Sequence, residues 1–194
     1  MGKTIHLDKV REFAAMTPAF SARDVEMIVG DRAYALQMLH NLCRVGEFHR
    51  IAKGWYSLSD DPIVSVFAFK PAYVGLEEAL GIHGLWEQET NVVLVSPRKV
   101  RPGVRTVLGS KVFIHRIEPK RFFGYDFMKL DGYFVPVSDV EKTLIDLFYF
   151  GKKPDREVLA EAGEKIDKKK LGGYLQSYEE ALARRVDSAL AGHS

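Results

Sequence analysis

Residues 31–58 read DRAYALQMLHNLCRVGEFHRIAKGWYSL, from Asp31 to Leu58. Asp31 is a good helix N-cap and Gly46 a good stop, so the spacing predicts a helix running to Val45. Leu36, Leu39, Leu42 and Cys43 recur at helical intervals and are expected to face a core. Ala33, Tyr34, Gln37, Asn41 and Arg44 fall opposite them, with His40 at the margin. Past the glycine, 48–51 and 55–58 read as short strands. Ala52-Lys53-Gly54 joins them, its glycine suited to a left-handed turn.

Working upstream, Val10, Phe13 and Ala14 give helical spacing over 7–16, ended by Thr17-Pro18. Ser21 with Asp24 three residues on forms a capping-box pattern, Val25, Ile28 and Val29 make one stripe, and Gly30 stops this second helix. Three helices and a hairpin with very short joints follow the order of a winged helix-turn-helix, expected over residues 1–61. Asp60-Asp61-Pro62 is the expected boundary.

Downstream, 62–194 reads as a mixed α/β, helix-rich domain, so the fold class expected is α+β. Residues 63–69 are apolar, a strand or a packed linker. A helix is expected from Gly75 or Leu76 to 85, a buried strand over 91–96, a hairpin of 105–108 with 111–117 around Gly109-Ser110, and a strand over 133–137. Ser138 with Glu141 predicts a capping box opening a helix with Val140, Leu144, Leu147 and Phe148 on one side. Another helix follows Lys153-Pro154 and reaches about residue 166. After Gly172-Gly173, a final helix is expected to bury Leu175, Tyr178, Leu182, Val186 and Leu190 or Ala189.

Composition sets limits. The 194 residues are 46% hydrophobic and 28% charged, which suits a chain with a packed core rather than disorder. No apolar run approaches the roughly 20 residues of a membrane-spanning helix, and the N-terminus lacks a secretion signal's apolar stretch. Cys43 is the single cysteine, which excludes a disulfide framework and a thiolate metal cage. The cytoplasm is the expected compartment, with no membrane contact.

A helix that reads the major groove needs an apolar face to hold it and an outer face of forked polar groups. Residues 31–45 carry both. Gln37 and Asn41 can pair with adenine edges, Arg44 with guanine or phosphate, and Arg32, Tyr34 and His40 complete the expected surface. Arg50 and Lys53 would meet phosphates or a minor groove from the hairpin. Between Arg98 and Arg121, eight basic residues (Arg98, Lys99, Arg101, Arg105, Lys111, Arg116, Lys120, Arg121) stand against one acid, Glu118. That run fits a polyanion, DNA or a partner protein, or a merely solvated face.

No P-loop, dinucleotide fingerprint, nucleophile elbow or His-Glu-x-x-His segment occurs, so no enzyme, cofactor or metal site is expected. Cys43 reads as structural, His83 as a capping or core histidine, and His115 as a surface or interface residue. Glu118-Pro119-Lys120 after a predicted strand leaves a metal-dependent nuclease as a minor alternative. An interaction module without DNA binding is the other.

The stretch from Leu39 to Leu58 resembles the winged-helix hallmark of AbiEi-type antitoxins, also described as predicted transcriptional regulators of viral defence systems. The likeness continues through Ala72–Leu85, with its Ala79-Leu80 and His83-Gly84-Leu85, then Phe122-Phe123-Gly124-Tyr125 and Val140–Leu147. It spans about the first three quarters of the chain; Trp55 departs from it, since a small aliphatic is commoner there. The resemblance implies a cytoplasmic antitoxin that represses its own operon by binding inverted repeats in double-stranded operator DNA. It implies a nucleotidyltransferase-like toxin as the opposed partner, and a C-terminal domain needed for antitoxicity. A symmetric operator suits either a monomer or a homodimer.

Overall fold

The computed structural model describes residues 2–99 and 101–192. Helix α1 (Gly2–Ala15) begins earlier than its apolar spacing predicts. Strand β1 (Phe20–Ser21) follows, then α2 (Ala22–Val29). Ser21 caps α2 reciprocally: the Asp24 N–H donates to Ser21 Oγ at 3.3 Å, and the Ser21 N–H to Asp24 Oδ2 at 2.6 Å. Gly30, at φ 78°, ends the helix in the left-handed region that glycine tolerates.

Helix α3 (Arg32–Arg44) is capped by Asp31, whose carboxylate accepts the Tyr34 N–H at 2.6 Å. Its inner face differs from the expected one by a fraction of a turn. Ala35, Met38, Leu39 and Leu42 are buried, whereas Leu36 is 43% exposed and Cys43 only half-buried. Leucine marks the apolar side crudely; Ala35 and Met38 share one buried cluster with residues of α1 and α2. Burying Leu39 alone contributes about 1.5–3 kcal/mol.

Strands β2 (His49–Ala52) and β3 (Trp55–Ser57) turn at Lys53-Gly54, with Gly54 at φ 75°. The sheet order is β1-β3-β2, all antiparallel, so the two-residue β1 ties the α1–α2 joint to the hairpin. Phe20, from β1, packs edge-on to Phe48 at 5.1 Å in an apolar cluster with Val10, Val25, Leu39 and Tyr56.

The rest of the chain surrounds a six-stranded mixed sheet of order β6-β7-β5-β4-β9-β8. Its strands are β4 (Tyr73–Val74), β5 (Val92–Ser96), β6 (Gly103–Val107), β7 (Ser110–Arg116), β8 (Tyr125–Leu130) and β9 (Tyr133–Ser138). Strands β5 and β7 pair in parallel, as do β4 and β9. Side chains alternate across a strand, and β5 makes the two faces plain. Val92 and Leu94 join Val112, Val137, the 3-10 segment Pro62–Phe67 and Ile51 of β2. Val93 and Val95 join Tyr73, Leu80 of α4 (Leu76–Ile82), Leu147 of α5 (Val140–Tyr149) and Val158 of α6 (Arg156–Lys165).

Helix α5 then meets a second layer of α7 (Lys168–Leu175) and α8 (Glu180–Ala191) through Leu144, Ile145 and Phe148. Covered on both sides, it is buried at every position from Glu141 to Phe148. The expected Ser138 cap is displaced by one residue. Ser138 stays in β9 with its hydroxyl against Thr143, and Asp139 takes the cap by accepting the Lys142 N–H at 2.7 Å. Gly172 and Gly173 do not separate helices but lie inside α7, and Tyr178 sits before α8 rather than in it. No described helix is long and apolar enough to cross a membrane. The architecture is α+β.

Candidate nucleic-acid interface

Helix α3 turns Arg32, Ala33, Leu36, Gln37, His40, Asn41 and Arg44 outward, all exposed. Among the described residues no hydrogen bond engages the amide of Gln37 or Asn41, so each can offer both a donor and an acceptor to a ligand. Nothing from the six-stranded sheet or its helices lies over them. Arg32 pairs with Glu26 at 3.0 Å but remains 71% exposed. Tyr34 departs from expectation: it is half-buried, edge-on to His6 of α1 at 6.1 Å. Arg50 and Lys53 are exposed on the hairpin, and Arg50 also donates to its own Ala52 carbonyl at 3.4 Å.

On one flank of α3 lies a groove of about 390 Å³ against α1, lined by Leu7, Tyr34, Met38 and Val45 with Gln37 and Asn41 on its polar side. Arg11 and Glu47 line it too, joined by two bonds of 2.5 and 2.7 Å. That bond to Arg11 holds the Glu47 carboxyl below the usual range. Cys43, shielded from water, has its thiol pushed up, which suits a packing role.

Trp55 is explained by position. It packs with Ala52 and Ala19 against the cluster around Ile51, Val107 and Val112, which locks the hairpin onto the large sheet. A bulky ring fills that joint where a small aliphatic would leave a gap.

The basic run does not form one surface. Arg121 is the clear correction: it is 3% exposed, hydrogen-bonded to Glu179 at 2.6 Å, near Glu118 at 3.7 Å and over the rings of Tyr149 and Tyr178. A guanidinium can be buried when carboxylates and aromatic faces replace its water, so Arg121 staples α8 to the sheet and is unavailable to a polyanion. Lys120 is exposed but lies 3.3 Å from Glu118. Arg98, Lys99, Arg101, Lys111 and Arg116 are exposed and Arg105 half-exposed, none of them ion-paired among the described residues.

Glu118 holds its carboxylate between Lys120 and Arg121, and among the described residues no group of three or more His, Cys, Asp or Glu is placed to hold a metal ion. His83 ends α4, its Nε2 2.7 Å from the Ser138 carbonyl, as its reading predicts. His115 lies at the margin of the surface, in a groove with Glu77, Glu89 and Lys152. It is half-buried against Phe150 at 4.6 Å, and burial, then the nearby Lys152 charge, lowers its pKa.

One polar group went unread in the sequence. Lys142, fully buried in α5, donates to Asp146, which also accepts the Tyr73 hydroxyl at 2.6 Å. The ammonium faces the rings of Tyr73 and Phe123 at 5.4 and 5.5 Å. Burial pushes Asp146 up and Lys142 down. Gly124, at φ 70°, lies so close that a Cβ there would meet Lys142 and Tyr174 at 2.9 Å. The i,i+4 spacing of Lys142 and Asp146 was the available signal. Both side chains are fully buried, so the geometry of this pair is that of a core.

No family model matches the chain, and no curated protein matches it. Among solved structures it is similar to the RV2827C protein from Mycobacterium tuberculosis, at a TM-score of 0.65 and 14% identity over 95% of this chain and 75% of that one. At this identity the likeness is one of fold.

Proposed function

We propose that residues 1–61 are a winged helix-turn-helix that reads double-stranded DNA, and that the chain is a sequence-specific transcriptional regulator. The observation that carries this reading is α3: anchored by Ala35, Met38, Leu39 and Leu42, it leaves Gln37, His40, Asn41 and Arg44 exposed along one outer face. Paired amide bonds to adenine and guanidinium bonds to guanine need such short forked groups on a helix of groove width. The element order supports it too, with β1 between α1 and α2 and the β2–β3 hairpin, which bears Arg50 and Lys53, following α3.

The resemblance to AbiEi-type antitoxins extends the reading to an autorepressor, acting against a nucleotidyltransferase-like toxin, with no catalytic step of its own and a cytoplasmic location. A reporter driven by the DNA upstream of the chain's own gene tests the repressor half. The chain should silence it, and Gln37→Ala with Asn41→Ala should release it; a reporter indifferent to the chain contradicts the reading. Co-expression with the product of the neighbouring gene tests the other half: rescued growth supports antitoxicity, and persistent arrest contradicts it.

One observation favours a protein-binding module instead. The α1–α3 groove carries apolar side chains from both helices, Leu7 of α1 with Met38 and Leu42 of α3, and Val45 beside them is 67% exposed. Such a module holds no duplex even at low salt.

A further inference from the structure

Residues 1–61 hold eight Lys and Arg and eight Asp and Glu, so the segment carrying α3 and the hairpin has no net charge. Two of its cations, Arg11 and Arg32, are already paired with Glu47 and Glu26. Neutralising phosphates supplies essentially all non-specific affinity for DNA and much of the specific. A reader made from these residues alone would therefore bind weakly, and further cations must come from elsewhere in the chain.

They are concentrated in one place. Residues 91–117 contain Arg98, Lys99, Arg101, Arg105, Lys111 and Arg116 and no acidic residue. The fold sets part of this stretch beside the hairpin. Strand β2, which bears Arg50 and leads to Lys53, packs next to β6, and Ile51 shares its apolar cluster with Val107 and Val112. The strand register then sorts the cations. Residues opposite each other in an antiparallel pair project from the same face. Arg105 is opposite Val112, which places it on the face where Ile51 packs; Thr106 is opposite Lys111, which places Lys111 on the other face. Arg105 donates to the Arg101 carbonyl at 2.7 Å and to the Val104 carbonyl at 3.0 Å, which holds its guanidinium next to Arg101.

We infer that Arg101 and Arg105 are a second phosphate-binding element, on the edge of the large sheet that adjoins the β2–β3 hairpin. The inference rests on the reading of α3 and the hairpin as a DNA reader and adds to it. It makes the footprint longer than a winged helix alone covers, and it gives the larger body a share in DNA binding that is blind to sequence. Lys111, exposed and equally cationic, takes no part because the register turns it away.

The test is the salt dependence of duplex binding by the full-length chain, using a duplex from upstream of its own gene. Arg101→Ala/Arg105→Ala should lower the slope of log affinity against log salt by about two, with base preference unchanged. Arg101→Lys/Arg105→Lys should restore the slope, which separates lost charge from a disturbed loop. A charge-matched control, Lys111→Ala/Lys129→Ala, should leave it unchanged, Lys129 lying on β8 at the opposite edge of the sheet. An unchanged slope in the arginine pair, or an equal fall in the control, overturns the inference while the reader stands. A wild-type chain that holds no duplex at low salt overturns the reader itself.

Discussion

Helices α3 and α5 are built from similar materials and put them to opposite uses. Each mixes leucines with charged and other polar side chains. In α3 the polar groups fall outside, and among the described residues none hydrogen-bonds the side chains of Gln37, His40, Asn41 and Arg44. In α5 the polar groups are sealed in, and Lys142, Thr143 and Asp146 are all satisfied by partners within the core. A buried charge must be paired because water cannot reach it; an exposed amide costs nothing to leave open. Pairing therefore marks α5 as architecture, whereas the outer face of α3 is open to solvent.

The largest effect expected from breaking that contrast is in α5. Lys142→Met leaves the Asp146 carboxylate buried beside Tyr73 without its cation and should cost about 3–5 kcal/mol in denaturant unfolding. Lys142→Met with Asp146→Leu should recover most of that loss. A single variant as stable as the wild type would make the pair dispensable. The corresponding change in α3 should behave in the opposite way. Gln37→Ala and Asn41→Ala should shift stability by no more than about 0.5 kcal/mol, yet each should remove about 1–3 kcal/mol of discrimination between bases in competition binding. Destabilisation without any change in preference would show that the outer face of α3 is structural too.

The extent to which the sequence revealed these two helices follows from the range of the interactions. Asp31, Gly46, Ser21 with Asp24, and the Gly54 turn act over three or four residues, so caps, stops and hairpin were readable. Leu36 was misplaced because hydrophobicity alone ranks it above Ala35, and only the packing of α1 and α2 decides which side closes. Strand β1 was missed because two residues carry no period, and β8 because Phe127 is 63% exposed where alternation would bury an aromatic. The buried charges of α5 and the burial of Arg121 depend on partners far along the chain. Tyr73 is 73 positions from Asp146 and Glu179 is 58 from Arg121. In the proposed interface, the residue types were visible in the sequence, but the separation of Arg105 from Lys111 required the strand register.

Two smaller tests sharpen the contrast. Lys53→Ala at the hairpin tip should weaken binding to every duplex alike and lower the salt slope by about one, leaving base preference intact; an altered preference would move Lys53 from phosphate to base contact. The smallest effect concerns His115. Its pKa is depressed in the fold, so the stability it contributes is whole above the ordinary histidine value near 6.5 and is lost as pH falls through the lowered value. Denaturation midpoints at pH 8 and pH 5 should therefore differ more for the wild type than for His115→Phe. Equal differences would mean that the ring titrates as freely as in the unfolded chain.

The most direct test is equilibrium binding, by fluorescence anisotropy at fixed salt, of the wild type and Gln37→Ala/Asn41→Ala to two duplexes of equal length. One carries the sequence upstream of the chain's own gene and the other a scrambled version. The wild type should favour the first by at least about a thousandfold, and the double variant should bind both nearly alike. Equal binding by the wild type, or a preference that survives loss of both amides, would contradict base reading by α3.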